Sequence, residues 1–270
     1  MKTMFPHLPV GLAAALFGLS LSAAALAEEP SPAPAPPAQT QVQRLIQGFE
    51  AVESLSCELR RDKPLPDGST FRMLSRVLWQ RPNQLNAENV TPIPRRTVCD
   101  GTVFRQYVKG ADKGFSRPVA DLPPPMLPGL TNIPGANLDV LAPLANLPEE
   151  ELSPEADGLR RYAYAAPSGT YTLLLLDAED RWVGLKVYAS AAMTDLSASS
   201  TYADFIELAP GAWLACRQES TVRIGGQTAT ETLRLSRVEA NAPIPASAFD
   251  PQAFFPAIDF VDSFDKIKMP

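Results

Sequence analysis

The chain has 270 residues, of which 24 are Lys or Arg and 30 are Asp or Glu, so its formal net charge at pH 7 is −6. This mildly acidic balance argues against nucleic acid, or an anionic membrane, as a tight partner. The sequence contains one histidine, His7, near its N-terminus. Nucleophile–histidine catalysis and most zinc and copper sites need an imidazole, so we expect no catalytic residues, no metal site, no cofactor and no enzymatic activity.

The first 27 residues have the pattern of a secretory signal peptide. Lys2 precedes an apolar run from Val10 to Leu26, and Ala25-Leu26-Ala27 forms a small-residue cleavage pattern before Glu28. A membrane anchor is the alternative, but the apolar run is short and no basic flank follows it. We therefore predict that residues 1–27 are removed and that a soluble, histidine-free protein reaches the periplasm.

Residues 28–39 alternate Pro and Ala with little that could pack, which is typical of a disordered linker. Thr40 and Gln43 then stand at capping-box spacing, and apolar residues recur at helical intervals up to Val52. We predict an amphipathic helix over residues 41–54 that lies on a sheet.

From Leu55 the apolar period changes to two, and a turn at Pro64–Gly68 leads into a long strand. A third strand is predicted around Leu85–Val90, and a fourth and fifth over Arg96–Lys109, hinged at Asp100-Gly101. Along the long strand one face carries four apolar side chains, namely Phe71, Met73, Val77 and Trp79. Together these strands predict an antiparallel meander with one buried face.

Residues 121–148 combine frequent proline with apolar side chains. Such a segment cannot join a sheet, because proline lacks the N–H that a strand ladder needs, and it is too apolar to remain in solvent. We predict that it covers the sheet as a lid, with short helices around Asn137–Leu147 that carry Leu138, Leu141 and Leu144.

The remainder of the chain predicts six more strands, separated by Gly, Pro and Asp turn signals. They cover residues 159–164, 170–176, 182–188, 200–208, 212–224 and 228–239. The predicted fold is mainly β with few helices: a single domain over residues 40–270, with about ten or eleven antiparallel strands in a large curled sheet.

The stretch Leu78–Asn83, LWQRPN, is followed by Asp100-Gly101 and Tyr107. These residues and their spacing resemble the LolA-like family, the soluble periplasmic carriers of outer-membrane lipoproteins. The resemblance is specific over residues 41–109 and topological beyond them, although Asn241, Pro243 and Phe249 also resemble the closing pattern of many relatives. It implies an unclosed antiparallel half-barrel with an N-terminal helix and a helical lid, enclosing a cavity for acyl chains.

The resemblance also implies roles for particular residues. The lipid cavity would be lined by Phe71, Met73, Val77, Trp79, Leu138, Leu141 and Leu144. Arg81 stands where the family places an arginine that hydrogen-bonds the lid, so it would be a lid latch, with an ordinary surface arginine as the alternative. The sequence does not separate an open cavity from a core filled by its own side chains, or a mobile lid from a static plug.

Cys57, Cys99 and Cys216 are an odd set for an oxidising compartment. A disulfide from Cys57 to Cys99 or to Cys216, with one spare thiol, and three buried thiols are both consistent with the sequence.

Our functional hypothesis is a non-enzymatic periplasmic carrier for lipoprotein acyl chains or another lipid. It would be a monomer that works between an inner-membrane donor and an outer-membrane acceptor. The alternative hypothesis is an envelope sensor or protein-interaction module on the same fold.

Overall fold

A computed structural model of the protein describes residues 39–130, 138–224 and 226–270. The predicted signal peptide (1–27) and nearly all of the predicted linker (28–39) lie outside the described residues, as does Asn137 at the start of the predicted lid helices. Among the residues that the structure describes, no helix is long and apolar enough to cross a membrane.

The strands form one mainly antiparallel sheet. Fourteen are described: β1 (Ser54–Pro64), β2 (Thr70–Gln80), β3 (Gln84–Thr91), β4 (Arg95–Asp100), β5 (Val103–Val108), β6 (Gly114–Pro118), β7 (Glu149–Leu152), β8 (Arg160–Ala165), β9 (Tyr171–Leu176), β10 (Trp182–Tyr188), β11 (Leu196–Ala209), β12 (Ala212–Ile224), β13 (Gln227–Ala240) and β14 (Phe260–Val261). The mainly β, unclosed half-barrel architecture predicted from the sequence is confirmed.

The strand order is β14-β6-β5-β4-β3-β2-β1-β13-β12-β11-β10-β9-β8-β7. The chain therefore starts in the middle of the sheet at β1 and runs outward, hairpin by hairpin, to β6. It then crosses to the opposite edge at β7 and returns strand by strand until β13 pairs with β1. β14 and β7 are the two edges and do not pair with each other, so the sheet stays open.

The predicted count of ten or eleven strands was too low. The three strands missing from the prediction are the short ones near the edges, β6, β7 and β14. β7 is the charged run Glu149–Leu152, for which a solvated run or a helical turn was expected, and β14 has only two residues. Strands this short show no alternation long enough to be recognised in a sequence.

The N-terminal helix α1 spans Gln41–Gly48 and continues into a 3-10 turn at Phe49–Ala51. The predicted capping box is confirmed, because the Thr40 hydroxyl accepts from Gln43 N at 3.2 Å and the Gln43 side chain accepts from Thr40 N at 3.0 Å. The helix is shorter than the predicted 41–54, since Val52 is already extended and leads into β1. A second helix, α2, spans Pro251–Phe254.

The lid segment, residues 119–148, connects β6 to β7. Its described helical parts are three-residue 3-10 turns, at Val119–Asp121, Pro124–Met126, Leu138–Val140 and Leu144–Asn146. Because β6 and β7 lie at opposite sides of the sheet, this segment has to pass across one face. We call that face, which α1 also covers, the inner face.

The C-terminal tail, residues 246–270, wraps the β6 side of the sheet. On the outer face Asn86 donates to Ala248 O at 2.7 Å, and Phe249 is buried there. β14 then pairs in parallel with β6. Beyond it, the Phe264 ring stacks on Phe115 of the inner face with centroids 4.2 Å apart. The tail therefore covers a backbone edge that would otherwise be open to another strand.

Candidate functional site

The inner face is apolar at the centre of the sheet. Leu55 and Leu59 of β1 and Val77 and Trp79 of β2 are each about 1% exposed. Leu55 pairs with Trp79 across the two strands. Val42 of α1 is fully buried in the same cluster, so the helix closes one side of it.

Five of the seven predicted cavity residues meet in this cluster. Val77 and Trp79 come from the sheet, whereas Leu138, Leu141 and Leu144 come from the lid and are 3%, 0% and 7% exposed. Met73 is half-buried at the border of the cluster. Phe71 is 39% exposed near the start of β2, and the structure does not bring it to the others.

The sequence prediction missed the contribution of the second half of the chain. The same cluster contains buried side chains from β8 to β13: Tyr162, Tyr164, Leu174, Leu176, Leu185, Tyr202, Leu208, Leu214, Leu233 and Leu235. Their alternation was visible, but the face that each strand presents depends on the pairing of β13 with β1. Both halves of the sheet therefore line one apolar surface.

The lid leucines fill the space between α1 and the sheet. The cleft that remains there, lined by Phe49, Leu141, Trp182 and Trp213, has a volume of about 10 Å³. One water molecule has a share of about 30 Å³ in the liquid, so no ligand fits while the lid is in this position. An acyl chain can enter the inner face only by displacing the lid leucines.

Few recorded polar contacts hold the second half of the lid to its surroundings. Gln43 of α1 donates from Nε2 to Ala145 O at 2.8 Å. Just after the lid, Glu149 Oε2 accepts from Gln41 N at 2.6 Å and from the Tyr164 hydroxyl. Burial, together with the neighbouring Glu149, raises the pKa of Tyr164 far above its usual value, so the phenol stays protonated and donates.

Arg81 binds the end of the N-terminal helix. Its Nε donates to Val52 O at 2.7 Å and its Nη2 to Phe49 O at 3.0 Å, while the guanidinium lies 5.6 Å from the centroid of the Trp79 ring. Among the described residues neither hydrogen bond reaches the lid segment, which differs from the predicted latch contact. The short β2–β3 turn places Arg81 beside the helix end, whose carbonyls lack partners within the helix.

Asn83, two residues further in the same motif, does reach the lid. With the amide nitrogen turned toward the neighbouring carbonyls, Asn83 donates to Pro82 O at 2.7 Å and to Pro128 O at 3.2 Å. The turn at Asp100-Gly101 is also present, because Asp100 Oδ1 accepts from Thr102 N and Val103 N and Gly101 has a φ of 96°. The motif residues thus organise turns and the helix end around the inner face.

Replacement of Arg81 by leucine is expected to lower the free energy of unfolding by about 1–3 kcal/mol, because two buried carbonyls lose a charged donor. Amide hydrogen exchange should accelerate around Phe49–Glu53 and stay unchanged in residues 138–147. Arg237→Leu, at an exposed arginine, serves as the control. Faster exchange confined to the lid would instead support the latch hypothesis.

All three cysteines are free thiols in the structure. Burial raises the pKa of Cys57 to about 12 and that of Cys99 to about 11, and it also raises the pKa of Cys216. The thiolate fraction at neutral pH is therefore very small, and these side chains act as small apolar groups.

No protein-family model matches the sequence, and no curated protein matches it. Solved structures do resemble it. A DUF1329 family protein from Desulfovibrio piger aligns with a TM-score of 0.50 and 10% identity, covering 79% of this chain and 95% of that one. A LolA superfamily protein from Nitrosomonas europaea aligns with a TM-score of 0.49 and 12% identity, covering 79% and 99%.

A third structure, a putative outer membrane lipoprotein-sorting protein domain from Vibrio parahaemolyticus, aligns with a TM-score of 0.48 and 11% identity, covering 79% and 96%. At these identities the similarity is one of fold alone. The LolA-like resemblance that the motif around Trp79 indicated is thus found again among solved structures, as a likeness in fold.

Proposed function

We propose that the protein is a non-enzymatic, periplasmic lipid-binding protein that holds lipoprotein acyl chains, or another lipid, on the inner face of its sheet. The observation that carries this proposal is the lid: Leu138, Leu141 and Leu144 are buried against the sheet from a segment that is not part of it. Trp79, Val77 and Met73 would contact the acyl chain after the lid has moved.

The exchange of lid for lipid is balanced energetically. Three leucine side chains carry about twelve carbon atoms, comparable to one acyl chain, and burial of each CH₂ contributes ~0.8 kcal/mol. An acyl chain that replaces them therefore restores most of the apolar contact that the sheet loses. Binding would be reversible, which suits a protein that receives cargo from one partner and releases it to another.

The remaining parts of the proposal follow from this role. Residues 1–27 direct export, residues 28–39 are a spacer, and residues 40–270 form a monomeric binding domain. An inner-membrane donor would load the inner face, and an outer-membrane acceptor that buries more apolar area would empty it.

Mass spectrometry of an organic extract tests the proposal. The protein is expressed with its own leader, purified from the periplasm without detergent, and extracted before and after incubation with phospholipid vesicles and an acylated lipoprotein. Met73→Glu and Leu74→Glu form a matched pair, because these neighbours project to opposite faces of β2 and both keep some solvent access.

We expect a stoichiometric lipid in the wild type and in Leu74→Glu, and a several-fold loss in Met73→Glu, because a carboxylate at the border of the inner face repels an acyl chain. Absence of lipid from every sample, or equal amounts in both variants, would reject lipid binding at this face. The first of these outcomes would favour the protein-interaction module.

A further inference from the structure

A pocket lies on the outer face, opposite the lid. Strand register places Glu88, Arg96 and Tyr107 on the face opposite Trp79. The tail passes over them, with the Phe254 ring 4.6 Å from the Arg96 guanidinium. Between the tail and β3–β5 a pocket of about 390 Å³ remains, within the size range of small-molecule sites.

The pocket carries an excess of positive charge on an acidic protein. Its lining includes the cations Arg95, Arg96 and Lys109 and one carboxylate, Glu88. Arg96 is neutralised, because its Nη2 lies 2.6 Å from Glu88 Oε1. That carboxylate is also shared with Arg76, at 3.7 Å.

The other two cations have no acidic partner among the described residues. Arg95 meets a neutral group: with the Asn89 amide oriented to satisfy its neighbours, its oxygen accepts from Arg95 Nη2 at 2.8 Å. Lys109 makes no ion pair within the described ranges, although its backbone N donates to Pro94 O at 2.9 Å. Both side chains are exposed at the pocket rim, where they are free to meet an anion.

The walls of the pocket are apolar. Phe254, Phe255, Pro256, Ala257 and Ile258 form the tail side. A small hydrated inorganic anion would leave these side chains without contacts, whereas an amphiphilic anion would satisfy both the walls and the rim.

We propose that this outer-face pocket binds a small organic carboxylate with an apolar body. The carboxylate would lie between Arg95 and Lys109, and the apolar body against Phe254 and Ile258. The proposal is independent of lipid binding at the inner face, because the two sites lie on opposite sides of the sheet.

Titration calorimetry of the full mature chain with decanoate and with decanol tests the proposal. Decanoate should bind about tenfold more tightly than decanol, since charge-assisted hydrogen bonds form only with the acid. In the double variant Arg95→Gln/Lys109→Gln this preference should disappear. Ala257→Trp, which fills the pocket from an exposed position, should weaken binding of decanoate.

Two controls isolate the site. The double variant Arg223→Gln/Arg237→Gln changes the net charge equally at exposed arginines elsewhere, and it should keep the preference. Met73→Glu, which tests the inner face, should also keep it. Equal affinity for acid and alcohol in the wild type, no binding of either, or an unchanged preference in Arg95→Gln/Lys109→Gln would overturn the proposal.

Discussion

Replacement of Trp79 by alanine is expected to lower the free energy of unfolding by about 3–5 kcal/mol, one of the largest effects of any single substitution in this chain. Trp79 is 1% exposed, and its neighbours across the two adjacent strands are Leu55 and Leu85. The substitution would leave a cavity where both halves of the sheet meet the helix. Urea unfolding, followed by far-ultraviolet circular dichroism, measures the change.

Phe71→Ala is the matched control, because Phe71 projects to the same face of the same strand but is 39% exposed. It should cost less than about 1 kcal/mol. Trp79→Phe should also cost much less than Trp79→Ala, since the indole N–H has no hydrogen-bond partner among the described residues and its removal leaves no acceptor unpaired. Equal destabilisation by Trp79→Ala and Phe71→Ala would show that the cluster around Trp79 is not the centre of the fold.

Leu141→Ala is expected to lower the stability of the lipid-free protein by about 2–5 kcal/mol and, at the same time, to raise its affinity for an acyl chain by about tenfold or more. Leu141 is fully buried, and it belongs to the lid rather than to the sheet. If the lid must leave before lipid binds, any loss of lid packing reduces the free energy that lipid has to overcome. Each 1.4 kcal/mol transferred in this way corresponds to a factor of ten in affinity.

Leu174→Ala provides the comparison, because Leu174 is equally buried in the same cluster but lies on β9 of the sheet. It should lower stability by a similar amount without raising affinity. Stability is measured by urea unfolding and affinity by displacement of a fluorescent fatty acid. A parallel loss of stability and affinity in both variants would show that the lid is a static plug.

Local patterns in the sequence were sufficient for several elements. The capping box at Thr40 and Gln43, the turn at Asp100-Gly101 and the buried face of β2 each depend on residues close together in the chain. Their chemistry is local, so spacing and residue type suffice to predict them. The motif around Trp79 added the unclosed half-barrel with its helix and lid.

Contacts between distant residues could not be predicted in the same way. Glu149 looked like part of a solvated acidic run, yet it binds Gln41 N, 108 positions earlier in the chain. Arg81 was expected at the lid, but it binds carbonyls 29 and 32 positions before it. Each of these partners is chosen by which strands lie side by side, and local spacing does not contain that information.

The sequence by itself determined that this protein is a curled antiparallel sheet with one apolar face, an N-terminal helix and a proline-rich cover, because alternation, capping and proline act over a few residues. Only the tertiary structure decided what the cover does. β6 and β7 lie at opposite sides of the sheet, since β13 pairs with β1 in its middle. The segment between them must therefore cross the inner face, and this crossing buries its leucines where a ligand would lie.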